Sequence, residues 1–162
     1  MTTGPSPFSV VLWRDVFVLI VNRDGLPADY ARAATAVLAR SAGYPGGIGC
    51  LTIIPPRANP PTEPVRHAIN TALERMEERL RCLCWLVEGD GFQGAMVRAI
   101  LTGIRMFGTH TYPTHVGTNM QQALAWILPH LAGGIARLGD VPQATRIIMR
   151  ERTVGGIVEA DG

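Results

Sequence analysis

Residues 8–22 read FSVVLWRDVFVLIVN, and this stretch decides the fold. Two runs rich in β-branched and aromatic residues flank Arg14-Asp15, the pattern of two strands joined by a tight turn. The second run, VFVLIVN, is apolar at nearly every position. A strand with one wet face alternates apolar and polar residues. One that is apolar throughout is central and covered on both faces.

Asp24-Gly25 ends that strand, and Pro27 suits the first turn of a helix. Residues 28–42 are Ala-rich, with Tyr30, Ala34, Val37 and Leu38 on one face and Gly43 at the end. GYPGG leads into a third strand, IGCLTII, which Pro55-Pro56 stops. The connector PPRANPPTEP (residues 55–64) holds five prolines. Thr62 is the expected N-cap of a second helix, with Glu63 and Pro64 in its first turn. Val65, Ile69, Leu73, Met76 and Leu80 make its buried face, and Glu77 is spaced to pair with Arg81. CLCWLVEG reads as a fourth strand. Asp90 and Gln93 form a capping box before a third helix, with a stripe of Val97, Ile100, Leu101 and Ile104 up to Gly108. TYPTHVGT is a short fifth strand. Thr118 and Gln121 repeat the capping pattern before a last helix with Met120, Leu124, Ile127 and Leu128 inward, which Pro129 ends.

The order β-β-α-β-α-β-α-β-α predicts an α/β fold. Its sheet is four- to five-stranded and mostly parallel, with an opening hairpin, about four helices and right-handed crossovers. Residues 8–133 form the domain and residues 1–7 a flexible lead-in. Residues 134–162 have no long periodic stretch and read as a C-terminal extension. It either forms a small hairpin around Gly155-Gly156 or stays mobile until it meets a partner, the second being favoured.

Composition narrows the function classes. The chain has 162 residues, 47% hydrophobic and 17% charged, which suits one core-forming domain. The net charge is +2 and the 15 basic residues, all Arg, are scattered, so no stripe for nucleic acid forms. Apolar runs such as Val16–Val21 fall far short of the ~20 residues of a membrane span. Three Cys make no disulfide framework, and a cytoplasmic setting is expected.

The sharpest motif is Gly89-Asp90-Gly91-Phe92-Gln93-Gly94, a G-x-G-x-x-G between a strand and a helix. Glu88 and Asp90 put negative charge where a pyrophosphate would sit, and no carboxylate follows at the next strand end for a ribose. A tight turn allowing close helix packing is the favoured reading. Cys82 and Cys84 share one side of a strand, with Cys50 on another. C-x-C is not a zinc spacing, and buried inert thiols are expected. His110 and His115 flank the fifth strand without a nearby carboxylate, so no metal site is assigned. Ser6, Ser9 and Ser41 lie outside any nucleophile elbow. A Cys84–His115 pair stays open at this level, since only the fold can bring them together. Glu88 and Asp90 lie at a strand's C-terminal end, where open α/β sheets bind ligands, although a solvated turn explains them as well. Trp13, Trp85 and Trp126 are too far apart in sequence for a base-stacking platform and are expected in packing. No catalytic residue, metal or cofactor is assigned.

Two local patterns carry a family resemblance. CLCWLVEG followed by FQGAMVRAILTGI, and the closing HVGTNMQQALAWI, resemble the fourth strand with its helix and the terminal helix of the STAS superfamily, the sulfate-transporter and anti-sigma-factor-antagonist domain. The likeness covers about residues 8–132 and looks closest to divergent members grouped with lipid-carrier-like SEC14 folds. It implies a non-catalytic regulatory or protein-interaction module of a bacterial-type cytoplasmic signalling or assembly system. The anti-sigma antagonists of that family carry a switchable serine in an Asp-Ser-Ser-Gly stretch after the third strand, at the N-terminus of the second helix. Here residues 55–63 hold no Ser and offer only Thr62. Contacts with a protein partner, a second copy of the chain included, are expected from Asn59, Thr62, Glu63 and Arg66. The alternative is a small-molecule, lipid or nucleotide-binding domain using Glu88, Gly89, Asp90, Gly91 and Gly94.

Overall fold

The apolar run at residues 16–21 does lie inside the sheet. The computed structural model describes residues 6–107, 110–152 and 157–159, and in it Val16–Val21 is strand β2. It is flanked by β1 (Phe8–Trp13), which is antiparallel to it, and by β3 (Ile48–Ile54), which is parallel. β4 (Leu80–Val87) and β5 (Thr114–Gly117) extend the parallel part, and β6 (Ile157–Glu159) pairs parallel to β1. The order is β5-β4-β3-β2-β1-β6. The expected mostly parallel sheet with an opening hairpin is present, and the sixth strand comes from beyond residue 134.

The helices are α1 (Pro27–Ser41), α2 (Glu63–Met76), α3 (Phe92–Phe107), α4 (Met120–Ile127) and α5 (Val141–Arg152). From β2 to β5 the chain steps along the sheet in one direction. Crossovers of one hand then put α1, α2 and α3 on the same face. Ala34, Val37, Leu73, Met76, Val97 and Leu101 pack there against Phe17, Cys50, Leu83 and Trp85. From β5, at one edge, the chain has to recross the sheet to reach the outer edge of β1. α4, a 3-10 segment Gly134–Asp140 and α5 are that return. They cover the second face with Leu124, Ile127, Leu128, Ala144 and Ile148 over Val18, Leu51, Ile53 and Cys84.

The mobile extension expected from residue 134 is therefore corrected for residues 134–152. Ala144 and Ile148 are completely buried and belong to the core. Their stripe is only Ala144, Ile147 and Ile148 in a helix otherwise rich in Arg, too short a period to stand out in sequence. The proposed hairpin around Gly155-Gly156 lies outside the described residues. The return segment is also locked to the β1–β2 turn. Arg137 Nη2 and Nη1 donate to the two oxygens of Asp15 at 3.1 and 3.2 Å, and its Nε donates to Asp140 at 3.0 Å. The Arg137 guanidinium lies 5.8 Å from the buried Trp13 ring.

Helix α4 sits unusually close to the sheet because β3 offers a glycine there. A Cβ on Gly49 would lie 2.8 Å from Ile127 Cγ2 and 3.2 Å from a Leu131 methyl. Two local expectations shift. Asn119, not Thr118, caps α4, its side chain accepting from the Gln122 N–H at 3.1 Å. Glu77 accepts from the Thr111 N–H at 3.2 Å, while Arg81 turns to the Gly46 carbonyl at 2.9 Å, so the expected Glu77–Arg81 pair is absent. The reason is that α2 stops at Met76, so Leu80 and Arg81, expected on the helix, belong to β4 and the four-residue helical spacing does not apply.

Candidate functional site

On the α1–α2–α3 face the helices do not fill the space above the sheet. A cavity of about 590 Å³ remains, within the ~300–1,000 Å³ range of small-molecule sites. Its floor is formed by side chains of β2, β3 and β4: Leu19, Cys50, Thr52, Ile54, Leu83 and Trp85. One wall is α1, contributing Tyr30, Ala33, Ala34 and Val37, and the other is α2, contributing Val65, Ile69, Ala72, Leu73 and Met76. Val97 and Leu101 of α3 close the far side. Both helices line this space with small side chains, Ala33 and Ala34 from α1 and Ala72 from α2, which leave room above the sheet.

The mouth lies at the C-terminal ends of the parallel strands, where open α/β sheets place their ligands. It is bordered by the exposed residues Asp24, Leu26, Asn59 and Thr62 and by Pro60 and Pro61. Asp24 ties the two loops of the mouth together. One carboxylate oxygen accepts from Asn59 Nδ2 at 2.5 Å, the other from the Asn59 N–H at 3.3 Å. Asp29 accepts from the Leu26 N–H at 2.7 Å and pairs with Arg32, which fixes the start of α1. Burial, followed by the nearby carboxylates of Asp24 and Asp29, pushes the Tyr30 hydroxyl up to about 12. A second space of about 470 Å³ adjoins the mouth and shares Val21, Asp24 and Ala58 with it, with Arg23 and Arg57 on its rim.

The residues expected at a partner surface fall around this mouth. Asn59 is in the clasp with Asp24, and Thr62 lines the cavity at the N-cap of α2 without a side-chain cap bond. Glu63 is exposed at the first turn. Arg66 is half-buried and donates to the Pro61 carbonyl at 3.1 Å, so it braces the loop.

The glycine motif is placed differently. Both oxygens of Glu88 accept from Arg152 of α5, the Nη2–Oε2 contact being 2.6 Å. Gly89 has φ +89°, and a Cβ there would meet Pro56 at 2.9 Å. A Cβ on Gly94 would lie 2.9 Å from the Gly89 carbonyl oxygen, which also accepts from Arg98 at 3.1 Å. Asp90 and Gly91 are exposed. The turn is thus packed with its own backbone, and neither space described above is lined by residues 88–94.

Parallel register brings Cys84 opposite His115 on neighbouring strands, a juxtaposition that spacing in sequence cannot reveal. The ring of His115 stacks on Trp126 at 5.2 Å. A nucleophilic pair needs a thiolate. Burial instead pushes Cys84 up to about 12, and does the same to Cys50 and Cys82. Among the described residues no group of three or more His, Cys, Asp or Glu is placed to hold a metal ion. Among them, too, no helix is long and apolar enough to cross a membrane.

These thiols predict an alkaline weakness. Their ordinary value is 9.0 and the folded value about 12. Between those limits the unfolded chain releases protons that the folded chain keeps. Stability is full below pH 9 and lost as pH rises toward 12. The urea midpoint is expected to fall between about pH 8 and about pH 10.5, less so in a Cys82→Ala, Cys84→Ala chain. Equal slopes for the two chains would show that the thiols are not the groups responsible.

The cavity was missed by reading the sequence. Its one signal was the run of alanines in α1 on the side that also carries Tyr30 and Val37. Comparison with family models, with curated proteins and with solved structures finds no match to this chain.

Proposed function

We propose that the protein is a non-catalytic binding protein for an apolar small molecule, held between α1, α2 and the sheet. The observation that carries this reading is the cavity of about 590 Å³ with a floor of Leu19, Ile54, Leu83 and Trp85. Apolar surface buried there drives binding without directional bonds, and a few polar groups at the mouth orient the ligand. The ligand class belongs to the alternative drawn from sequence, but its place moves from residues 88–94 to the α1–α2 side. The likeness to STAS domains rests on local sequence patterns alone, no comparison supports it, and the ligand reading does not depend on it. A protein-contact role for residues 55–64 is the second reading. Its support is that Asn59, Thr62 and Glu63 are exposed on the loop that borders the mouth, where a partner would meet a surface sensitive to occupancy.

The test fills the cavity. Ala72 is 7% exposed and Ala34 2%, and both line the space. An uncharged apolar fluorescent dye is expected to bind the native chain and to change the emission of Trp85. Ala72→Phe is expected to weaken binding by roughly a hundredfold with a melting temperature equal or higher, since the new ring occupies existing space. Ala34→Leu is the milder filler should Phe strain the helix. Undiminished dye binding in both folded variants, or no binding by the native chain, would overturn the reading.

A further inference from the structure

The charges around the cavity say which kind of molecule it accepts. This inference rests on the binding reading above. Among the described residues lining the cavity none is Arg, Lys or His, and the single carboxylate is Asp24 at the mouth. Both Asp24 oxygens are already used by Asn59, and the second nearby carboxylate, Asp29, holds Arg32 and the Leu26 N–H. The remaining polar side chains are neutral: Tyr30, Cys50, Thr52, Asn59, Thr62 and the indole of Trp85. We infer that the cavity selects an uncharged ligand, a long apolar body with at most one hydroxyl or carbonyl end, and rejects the carboxylate of the same chain.

An anionic head drawn into the cavity would give up hydration and find no cation among the described lining residues. At the mouth it would also face the like charge of the Asp24 carboxylate. A cationic head fares little better: Asp24 keeps its charge in the clasp with the neutral Asn59, but it lies exposed at the mouth, where water screens the attraction. A hydroxyl or ester, in contrast, can be served by the Tyr30 hydroxyl, which burial and the two carboxylates keep protonated across the physiological range. A route for an acid runs through the adjoining space, whose rim carries Arg23 and Arg57. Both are exposed and engaged within the chain.

The experiment compares dodecanol, dodecanoate, methyl dodecanoate and dodecylamine at pH 8 by Trp85 emission and by displacement of the uncharged dye, below the micelle concentration of each. The alcohol and the ester are expected to bind alike. The acid and the amine should bind at least about tenfold more weakly, a difference of about 1.4 kcal/mol. In Asp24→Asn the gap between alcohol and acid is expected to narrow. Acid binding as tight as the alcohol's, particularly if lost in Arg57→Gln, would put the head group in the adjoining space and overturn the inference while leaving the binding reading intact. Amine binding tighter than the alcohol's would overturn it in favour of cation selection by Asp24. A chain that binds none of the four and no dye fails both readings together.

Discussion

A chain ending at Gly133 is expected not to fold cooperatively. Such a cut removes the 3-10 segment, α5 and β6, and with them Ala144, Ile147 and Ile148 from the core. It would leave Val11, Val18 and Trp13 open to water on the face that α5 covers, a large apolar patch on a small domain. The single substitution Ile148→Ala is the graded version. Ile148 is 0% exposed, and truncating a fully buried Ile costs about 3–4 kcal/mol when the cavity cannot collapse. Set against domain stabilities of ~5–15 kcal/mol, that is a large share. Urea denaturation read by Trp fluorescence measures it, and near-ultraviolet circular dichroism reports whether the shortened chain keeps fixed packing. A shortened chain with an unchanged midpoint would show that residues 8–133 suffice.

The second large effect is expected at Arg137. Its side chain is 13% exposed and that of Asp15 12%, so this ion pair is largely out of water. Exposed pairs are worth little, since solvent screens them. Here removal of one partner strands the other, and Arg137→Ala also leaves the Ala132 carbonyl without its 3.0 Å donor. The expected loss is about 3 kcal/mol. Asp15→Asn with Arg137→Met removes both charges and is expected to cost much less than the sum of the single changes. A loss below ~1 kcal/mol in Arg137→Ala would mean that water reaches the pair and that the return segment is held by Ile148 and its neighbours alone.

Much of the fold was legible because its signals are local. The apolar continuity of Val16–Val21, the stripe Val65, Ile69, Leu73, Met76 and the prolines after β3 each act over a few residues. They specify strand, helix and stop without knowledge of any distant partner. The glycines at 89, 91 and 94 were read as a turn with close packing, and the Gly89–Pro56 and Gly94–Gly89 approaches have that character. The interaction residues were located only as far as the loop. That Arg66 would turn to Pro61 and Asn59 to Asp24 depends on contacts 5 and 35 residues away.

By itself, then, the sequence determined the strands and helices from β1 to α4, their order and the burial of β2 on both faces, since side-chain periodicity is a property of neighbours along the chain. The tertiary structure alone decided three things. Parallel register set Cys84 beside His115, and burial pushed the thiol's pKa up. The need to recross the sheet from β5 to β6 turned an unpromising Arg-rich stretch into core. The cavity arose because the gap left by Ala33, Ala34 and Ala72 depends on how far apart α1 and α2 stand over the strands, a distance set by many long-range contacts at once and written in no single stretch of residues.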